Sequence, residues 1–555
     1  MIKKILISLI LAMLITKLPF VDINTELLGD GGDSAQFALH MDMAGDNIQE
    51  GKYFFTGNTR LHFPYGFDFT RTNDGAFAIL LGAVLSMFFP IIVSYNLVIL
   101  AIVFLNLLLS FIFFEKIRTA IKDDSETPET FLAVISAGIA FALSPFVVAR
   151  LNGHPSLAFV GGFPALVYWS YALISKITSE EKTNAWDYAK FFTGLMLVSL
   201  GSIQYLILLL WVSVIFSTIY VVIYRISVER IFSAVKYFLF SNVVGLLLSF
   251  LMFTVVFTAF FKGYVVTFFE ENVSLPTFPY TGSVYDLFLP NGYLGKFWRN
   301  LNPSTIGIEH IASIGVIELV IFFILFVRIK NRNLRILITI FCVLFSAAGT
   351  NVLKIPLYTE PPRSVVLATL LFAVMLLLSD LFKKKTLGFL ILSLILLERL
   401  TFTVYSTETP YRLGETMQEL PGSTVLVIPV TTRDAFRNYI LLYTSKSLYD
   451  GHMHHMANTT DFYKKLAVSP IARFTCVFEE IYIRDIYKDP ASDPEVFWEY
   501  MELNDTRVVV VIKDRYPNIN MSECVYARQN LEAIISELEL VESTQIYDIY
   551  LIKKR

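Results

Sequence analysis

Between residues 5 and 403 the sequence keeps returning to apolar runs long enough to cross a bilayer. A helix needs about 20 mostly apolar residues to span a hydrocarbon core of ~30 Å. Such runs lie at 5–21, 95–114, 131–149, 157–175, 190–204, 206–224, 237–260, 312–328, 335–349, 364–382 and 386–403. In lipid each must satisfy its own backbone hydrogen bonds, so the predicted fold is a multi-pass α-helical membrane protein with eleven transmembrane helices. The pair 190–204 and 206–224 is short and is predicted to turn at Ser202-Ile203-Gln204. The first run starts after Lys3-Lys4. The residues beyond it, Asp22-Ile23-Asn24-Thr25, offer no small-residue cleavage site, so it reads as a retained helix rather than a signal peptide.

Composition divides the chain at the end of these runs. Overall, 55% of the 555 residues are hydrophobic and 17% are charged. The last 152 residues, from Val404, hold 38 charges, about one in four, the proportion of a soluble domain. The first 403 hold 55, about one in seven. Residues 1–403 are therefore expected to lie in the membrane, with a large first outer loop at 22–94, and residues 404–555 to form a soluble extracytoplasmic α/β domain. A net charge of −3 argues against nucleic acid as a partner. Cys342, Cys476 and Cys524 are too few and too scattered for a disulfide scaffold or zinc cluster.

Residues 75–92 (GAFAILLGAVLSMFFPII) decide the topology. If they do not cross, five basic clusters share one side with Lys3 and Lys4. These are Lys116/Arg118/Lys122, Lys176/Lys182, Arg225/Arg230/Lys236, Arg328/Lys330/Arg332/Arg335 and Lys383/Lys384/Lys385. Basic residues accumulate on the cytoplasmic side, so the run is read as a helix on the outer membrane surface, ended by Pro90. The N-terminus is then cytoplasmic.

The outer loops carry the candidate chemistry. Loop 22–94 holds nine acidic residues against three basic ones, around Gly29-Asp30-Gly31-Gly32-Asp33. Glycines let the backbone turn tightly and leave two carboxylates open, which suits a general base or a divalent cation, Mg or Mn. The simpler reading is a solvated acidic loop in which Asp33 caps the helix starting at Ser34. His154 lies where the third span meets water, on the same side; an interfacial histidine without a role is the simpler reading. Loop 261–311 carries Glu270-Glu271, Asp286 and Glu309-His310, and loop 350–363 carries Lys354 and Arg363. A guanidinium matches phosphate geometry, though Arg363 also suits an interfacial anchor. Glu318 lies inside an apolar run, where a carboxylate is a functional hypothesis by default, and Glu398 and Arg399 are expected to pair.

These features together resemble the GT-C class of integral membrane glycosyltransferases. The first loop, Gly32-Asp33-Ser34-Ala35-Gln36-Phe37, is similar to the class's acidic motif. Pro64-Tyr65-Gly66, then Tyr95-Asn96-Leu97, then Gly153-His154 resemble the P-x-G, Y-N-L and G-H motifs of a prokaryotic branch. Asp286 to Pro290, Glu309 with Gly315, and Pro362-Arg363 match more loosely. The resemblance implies transfer of a sugar from a polyprenyl-phosphate donor to a glycan, lipid or protein acceptor on the outer side. It implies Asp33 as the catalytic base, with Asp30, His154, Glu309 and Arg363 binding substrate and Asp33 with His154 holding any metal. The class carries a second acidic motif where this chain has Asn152-Gly153-His154, without a carboxylate.

In the soluble domain, Ser423–Ile428 and Arg507–Ile512 read as buried strands, Leu531–Leu538 as a helix and Ile546–Ile552 as an edge strand. His452, His454 and His455 lack partners at metal-ligand spacing, and Asn272, Asn458, Asn504 and Asn520 open glycosylation sequons. Two other functions fit the composition. A transporter or flippase would use midplane polar groups, for which Glu318 is the main candidate. A non-catalytic assembly or sensor protein would use the soluble domain as a binding module.

Overall fold

The computed structural model describes residues 1–61, 66, 75–122, 127–179, 181–224, 227–270, 313–328, 340, 342, 365–402, 404–428, 436–444, 446–449, 494–513 and 534–553. In chain order the elements used below are α1 (Ile2–Thr16), β1 (Glu26–Leu28), α2 (Asp33–Gln49), α3 (Ala76–Ser86), α4 (Ile91–Lys122), α5 (Pro128–Ala142), α6 (Pro145–Leu151), α7 (Pro155–Ala158), α8 (Gly162–Thr178), α9 (Ala185–Gly201), α10 (Ile203–Tyr224), α11 (Val228–Phe240) and α12 (Val243–Glu270). They continue with α13 (Val316–Arg328), α14 (Val365–Leu378), α15 (Lys385–Thr401), β2 (Ser406–Glu408), α16 (Tyr411–Glu419), β3 (Thr424–Ile428), α17 (Phe436–Tyr443), β4 (Ser447–Leu448), α18 (Pro494–Leu503), β5 (Thr506–Ile512), β6 (Glu539–Ser543) and β7 (Tyr547–Leu551). The chain forms two compact units. One comprises residues 1–22, 73–81 and 96–406, and the other residues 23–72, 82–95 and 407–555.

The first unit is helical. Among the described residues three helices are long and apolar enough to cross a membrane, or four if the bent pair α5–α6 is one span. That pair bends by 48°. Pro145 cannot donate to the helix before it, and the Ser144 side chain instead accepts from Val147 N and starts α6. The turn predicted near residue 202 is a break at Ser202, whose backbone is extended between α9 and α10. The predicted span 237–260 is corrected. Residues 237–240 end a separate helix, α11, and Asn242 caps the next, accepting from Gly245 N at 2.8 Å. An asparagine cap inside an apolar run is easily overlooked because its apolar flanks dominate the pattern. The predicted span 335–349 lies almost wholly outside the described residues.

Basic groups from several predicted cytoplasmic segments meet at one end of this unit. Lys4 bonds Glu115, Lys122 lies 3.1 Å from Asp380, and Lys385 lies 3.6 Å from Glu129.

Asn106 on α4 is fully buried and ties down the break between α7 and α8. Its Nδ2 donates to Ala158 O at 2.7 Å, and its Oδ1 accepts from Val160 N at 2.9 Å and Gly161 N at 2.8 Å. Replacement by leucine orphans three buried backbone groups. Asn106→Leu is expected to cost about 3 kcal/mol or more, read as a lowered Tm in detergent.

The second unit holds a five-stranded sheet of order β4-β3-β5-β7-β6. β3 pairs parallel with β4 and β5, while β7 pairs antiparallel with β5 and β6. The predicted buried strands are β3 and β5. The predicted edge strand, β7, is corrected to an interior position. β6 covers it, and β6 carries Glu539 and Glu542, the charges that keep an exposed edge soluble. Of the predicted helix Leu531–Leu538, residues 534–536 make a helical turn and the first three lie outside the described residues.

In the same unit, α2 packs against the start of the 82–95 segment through two glycines. A Cβ on Gly45 would stand 2.4 Å from Ser86 Oγ, and one on Gly82 would stand 2.2 Å from Met41 Sδ. At 11 residues α3 is about 16 Å long, too short to cross the hydrocarbon core. It ends at Ser86, not at Pro90. Pro90 instead precedes α4, and its carbonyl accepts from Ser94 N, the position a proline tolerates at a helix start.

Candidate active site

The carboxylate pair sits where β1 turns into α2. Gly29 (φ 122°) and Gly31 (φ 76°) take left-handed conformations that side chains disfavour. The turn is closed by Asp30, whose Oδ1 accepts from Gly32 N and from Ser34 Oγ, both at 3.0 Å. This corrects the expectation that Asp33 caps α2. The cap position is Gly32, which has no side chain, and Asp33 is the first residue inside the helix. A carboxylate there lies on the positive end of a 17-residue helix. Asp30 is exposed and Asp33 half-buried.

The loop is gripped from residues more than 370 positions further on. Thr407 Oγ1 donates to Gly29 O at 2.9 Å, and Tyr439 Oη donates to Gly31 O at 2.9 Å. Thr409 bonds Thr25 O through its backbone N at 2.9 Å and its hydroxyl at 2.6 Å. Burial, and then the charges of Asp30 and Tyr443, push the Tyr439 hydroxyl well above its ordinary value. The fit leaves no space at Gly31. A Cβ there would stand 2.7 Å from Thr407 Cγ2 and 2.9 Å from Tyr439 Oη. Gly31→Ala is expected to cost about 2–3 kcal/mol, combining the backbone penalty with the collision. Gly51→Ala, at φ 69° with nothing within 4 Å, isolates the backbone penalty alone, about 1–2 kcal/mol. Thermal unfolding of both variants checks the difference.

Arg60 anchors the other side of the same unit. Its Nη1 meets Asp42 Oδ2 at 2.7 Å and Asp46 Oδ2 at 2.6 Å, two carboxylates one turn apart on α2. Its Nη2 donates to Leu441 O at 2.7 Å and Thr444 O at 3.0 Å, carbonyls at the C-terminal end of α17. A cation at a helix C-terminus satisfies orphan carbonyls and opposes the dipole. Leu448 N also bonds Arg60 O at 2.7 Å, joining the loop to β4. Burial outweighs Arg60 at Asp42 and raises its carboxyl above the usual range, while the two aspartates raise the Arg60 guanidinium against the opposing effect of burial. Sequence reasoning singled out neither Arg60 nor Tyr439. The available signal was that Arg60 is one of three basic residues in an acidic loop that also holds an i,i+4 aspartate pair. Tyr95, also in this unit, is fully buried and close enough to Ser34, Asp30 and Asp33 to interact with them electrostatically.

His154 belongs to the helical unit. It is half-buried, precedes Pro155 at the start of α7, and donates its backbone N–H to Arg150 O at 2.7 Å. Asn152 Oδ1 accepts from Tyr405 N at 2.7 Å, and fully buried Arg150 lies 5.1 Å from the Phe146 ring. Glu309 and Arg363 lie outside the described residues, as do Asp286, Glu271, His310, Lys354, the His452–His455 cluster and three of the four sequons. In the fourth, Asn504 donates from Nδ2 to Tyr500 O at 2.8 Å.

Glu318 is buried in the helical unit with Arg399. Arg399 pairs with Glu318 and donates to Ile314 O at 2.9 Å. The expected Glu398–Arg399 pair is present at 4.0 Å, and Glu398 also accepts from Val316 N at 2.6 Å and Ile317 N at 3.2 Å, where α13 begins. Helix N–H groups without intrahelical partners draw the carboxylate.

Among the described residues, no group of three or more His, Cys, Asp or Glu side chains is placed to hold a metal ion. Asp30 and Asp33 supply at most two carboxylates, and one Asp30 oxygen already closes the turn. That set falls short of a divalent coordination sphere.

No family model and no curated protein matches the sequence. Solved structures do. ArnT from Cupriavidus metallidurans in the apo state has a TM-score of 0.44 and 11% identity, covering 96% of each chain. The archaeal oligosaccharyltransferase AglB from Archaeoglobus fulgidus, in complex with an inhibitory peptide and a dolichol-phosphate, has a TM-score of 0.39 and 12% identity, covering 100% of this chain and 74% of that one. The Archaeoglobus fulgidus oligosaccharyltransferase in complex with Zn and sulfate has a TM-score of 0.38 and 13% identity, covering 99% and 72%. All three scores lie below 0.5.

Proposed function

We propose that this chain is a GT-C-type membrane glycosyltransferase that moves a sugar from a polyprenyl-phosphate donor to an acceptor hydroxyl on the extracytoplasmic side. The observation that carries the reading is the Gly29–Asp33 turn. Asp30 closes the turn, so Asp33 is not consumed as the helix cap. In the proposed reaction Asp33 takes the proton of the acceptor hydroxyl. The acceptor oxygen bonds to the anomeric carbon, and the bond from that carbon to the phosphate oxygen breaks. Polyprenyl phosphate leaves with the bonding electron pair. Asp30 and Glu309 contribute to sugar binding, and His154 and Arg363 offset charge on the departing phosphate. Among the described residues no set makes up the coordination sphere of a divalent cation such as Mg or Mn, and no step above depends on one.

Glu318, the polar group a transporter reading would use, is buried and paired with Arg399. Membranes containing the chain, incubated with a panel of polyprenyl-phosphate sugars, test the proposal. Transfer predicts labelled acceptor and free polyprenyl phosphate in equal amounts. Sugar-lipid that crosses sealed vesicles with its glycosidic bond intact would instead favour the flippase.

A further inference from the structure

We infer that the soluble domain holds the first-loop carboxylates in their working geometry, with Thr407 and Tyr439 as positioning residues. This deepens the proposed transferase reading and rests on it for the kinetic part alone. The loop has little to hold it by itself. Two of its five residues are left-handed glycines, and Asp30 accepts from Gly32 N and Ser34 Oγ, both within four residues of it. Glycine-rich backbone has more freedom to lose than any other, so its order must come from outside the loop.

Two hydroxyls supply it. Thr407 and Tyr439 hold alternate carbonyls, those of Gly29 and Gly31, and these bracket Asp30. Their side chains also fill the space that any Cβ on Gly31 would need. The Gly31 peptide is thus fixed by a hydrogen bond and by contact at once. Gly31 is two residues from Asp33, so a change in its orientation re-aims the first turn of α2 and the carboxylate on it. A misplacement of about 1 Å costs on the order of 100-fold in rate for groups that must meet a reacting atom. Arg60 and Thr409 keep the same elements together further from the carboxylates, so Thr407 and Tyr439 are the residues that act on orientation rather than on assembly.

The test uses the full chain in lipid nanodiscs and Tyr439→Phe, which keeps the ring and removes one hydroxyl. Thr407→Val removes the other hydroxyl at constant shape, and Thr407→Ser restores it. Hydrogen exchange at the Gly31–Ser34 amides is read alongside kcat and KM for transfer. We expect exchange at these amides to rise at least 10-fold in Tyr439→Phe and Thr407→Val, with sheet protection kept. We expect kcat to fall 10- to 100-fold at nearly constant KM, with Thr407→Ser close to wild type. Unchanged exchange in both variants overturns the inference. So does a loss of protection spread evenly over the unit that Thr407→Ser fails to restore, because that is a purely structural role. If the wild-type chain transfers no sugar, the transferase reading fails by itself, and the exchange measurement still decides whether these hydroxyls order the loop.

Discussion

Asp33→Asn is expected to reduce sugar transfer by about 10²–10⁴-fold, the range that removal of a positioned general base produces. The amide has nearly the same shape and cannot take the acceptor proton. Its structural cost is small. Asp33 is the first residue of α2 and the turn is closed by Asp30, so the turn is kept and folding loses the attraction between one charge and the helix N-terminus, about 0.3–1 kcal/mol. The variant should therefore keep its Tm within a few degrees, bind donor with KM close to wild type and lose kcat. Steady-state kinetics on purified chain, with Tm measured on the same sample, separates these quantities. Full activity in Asp33→Asn removes Asp33 from the mechanism.

Arg60→Ala is expected to destabilise the second unit by about 2–4 kcal/mol. Breaking a buried pair costs about 3–5 kcal/mol because it strands the partner charge. The lower range applies because Asp42 and Asp46 keep part of their side chains in water, at 22% and 39% exposure. The loss has three parts: two like charges left one turn apart, two carbonyls at the end of α17 without their cation, and a detached loop. Arg60→Lys recovers only part, since an ammonium lacks the planar fork that reaches both sets of partners.

The dependence on pH follows from Asp42. Its folded carboxyl titrates above the usual value, mainly through burial. A raised value means that its protonated form is preferred in the folded state. Its contribution is present below the unfolded value of about 3.9 and is lost as pH rises through the folded value. Removing Arg60 takes away the main effect opposing that rise. The Tm difference between Arg60→Ala and wild type is therefore expected to narrow as pH falls from 7 toward about 4. A difference that is constant or widens over that range contradicts the stranded-carboxylate account. A companion variant, Asp42→Asn with Asp46→Asn in the Arg60→Ala background, should recover part of the lost stability.

How much of this was legible depends on what each residue answers to. The apolar runs were readable because lipid imposes one rule over about 20 residues at a time, and most described helices of the first unit fall on them. The break between α11 and α12 was not, because Asn242 is a single polar residue whose role is a local cap. β3 and β5 were readable as unbroken apolar strands. The order of strands was not, since β7 alternates like an edge strand and the charged β6 that covers it has no apolar pattern. At the candidate site the acidic loop was readable from its glycines and carboxylates. The division of labour between Asp30 and Asp33 needed the backbone, because either aspartate can close a turn or cap a helix, and here Asp30 closes the turn while the cap position falls to Gly32. Tyr439, Thr407 and Arg60 act through sequence separations of about 380–410 residues, which no local pattern records.

Glycosyl transfer itself is tested most directly with the purified full chain in nanodiscs, a polyprenyl-phosphate sugar labelled in both the sugar and the lipid, and an acceptor hydroxyl compound. The two labels are followed through one turnover. The labels are expected to separate, with the sugar label on the acceptor, one free polyprenyl phosphate per sugar moved, and no separation in Asp33→Asn. Labels that stay together across the whole donor panel in the wild-type chain, or that separate equally fast in Asp33→Asn, would contradict that expectation.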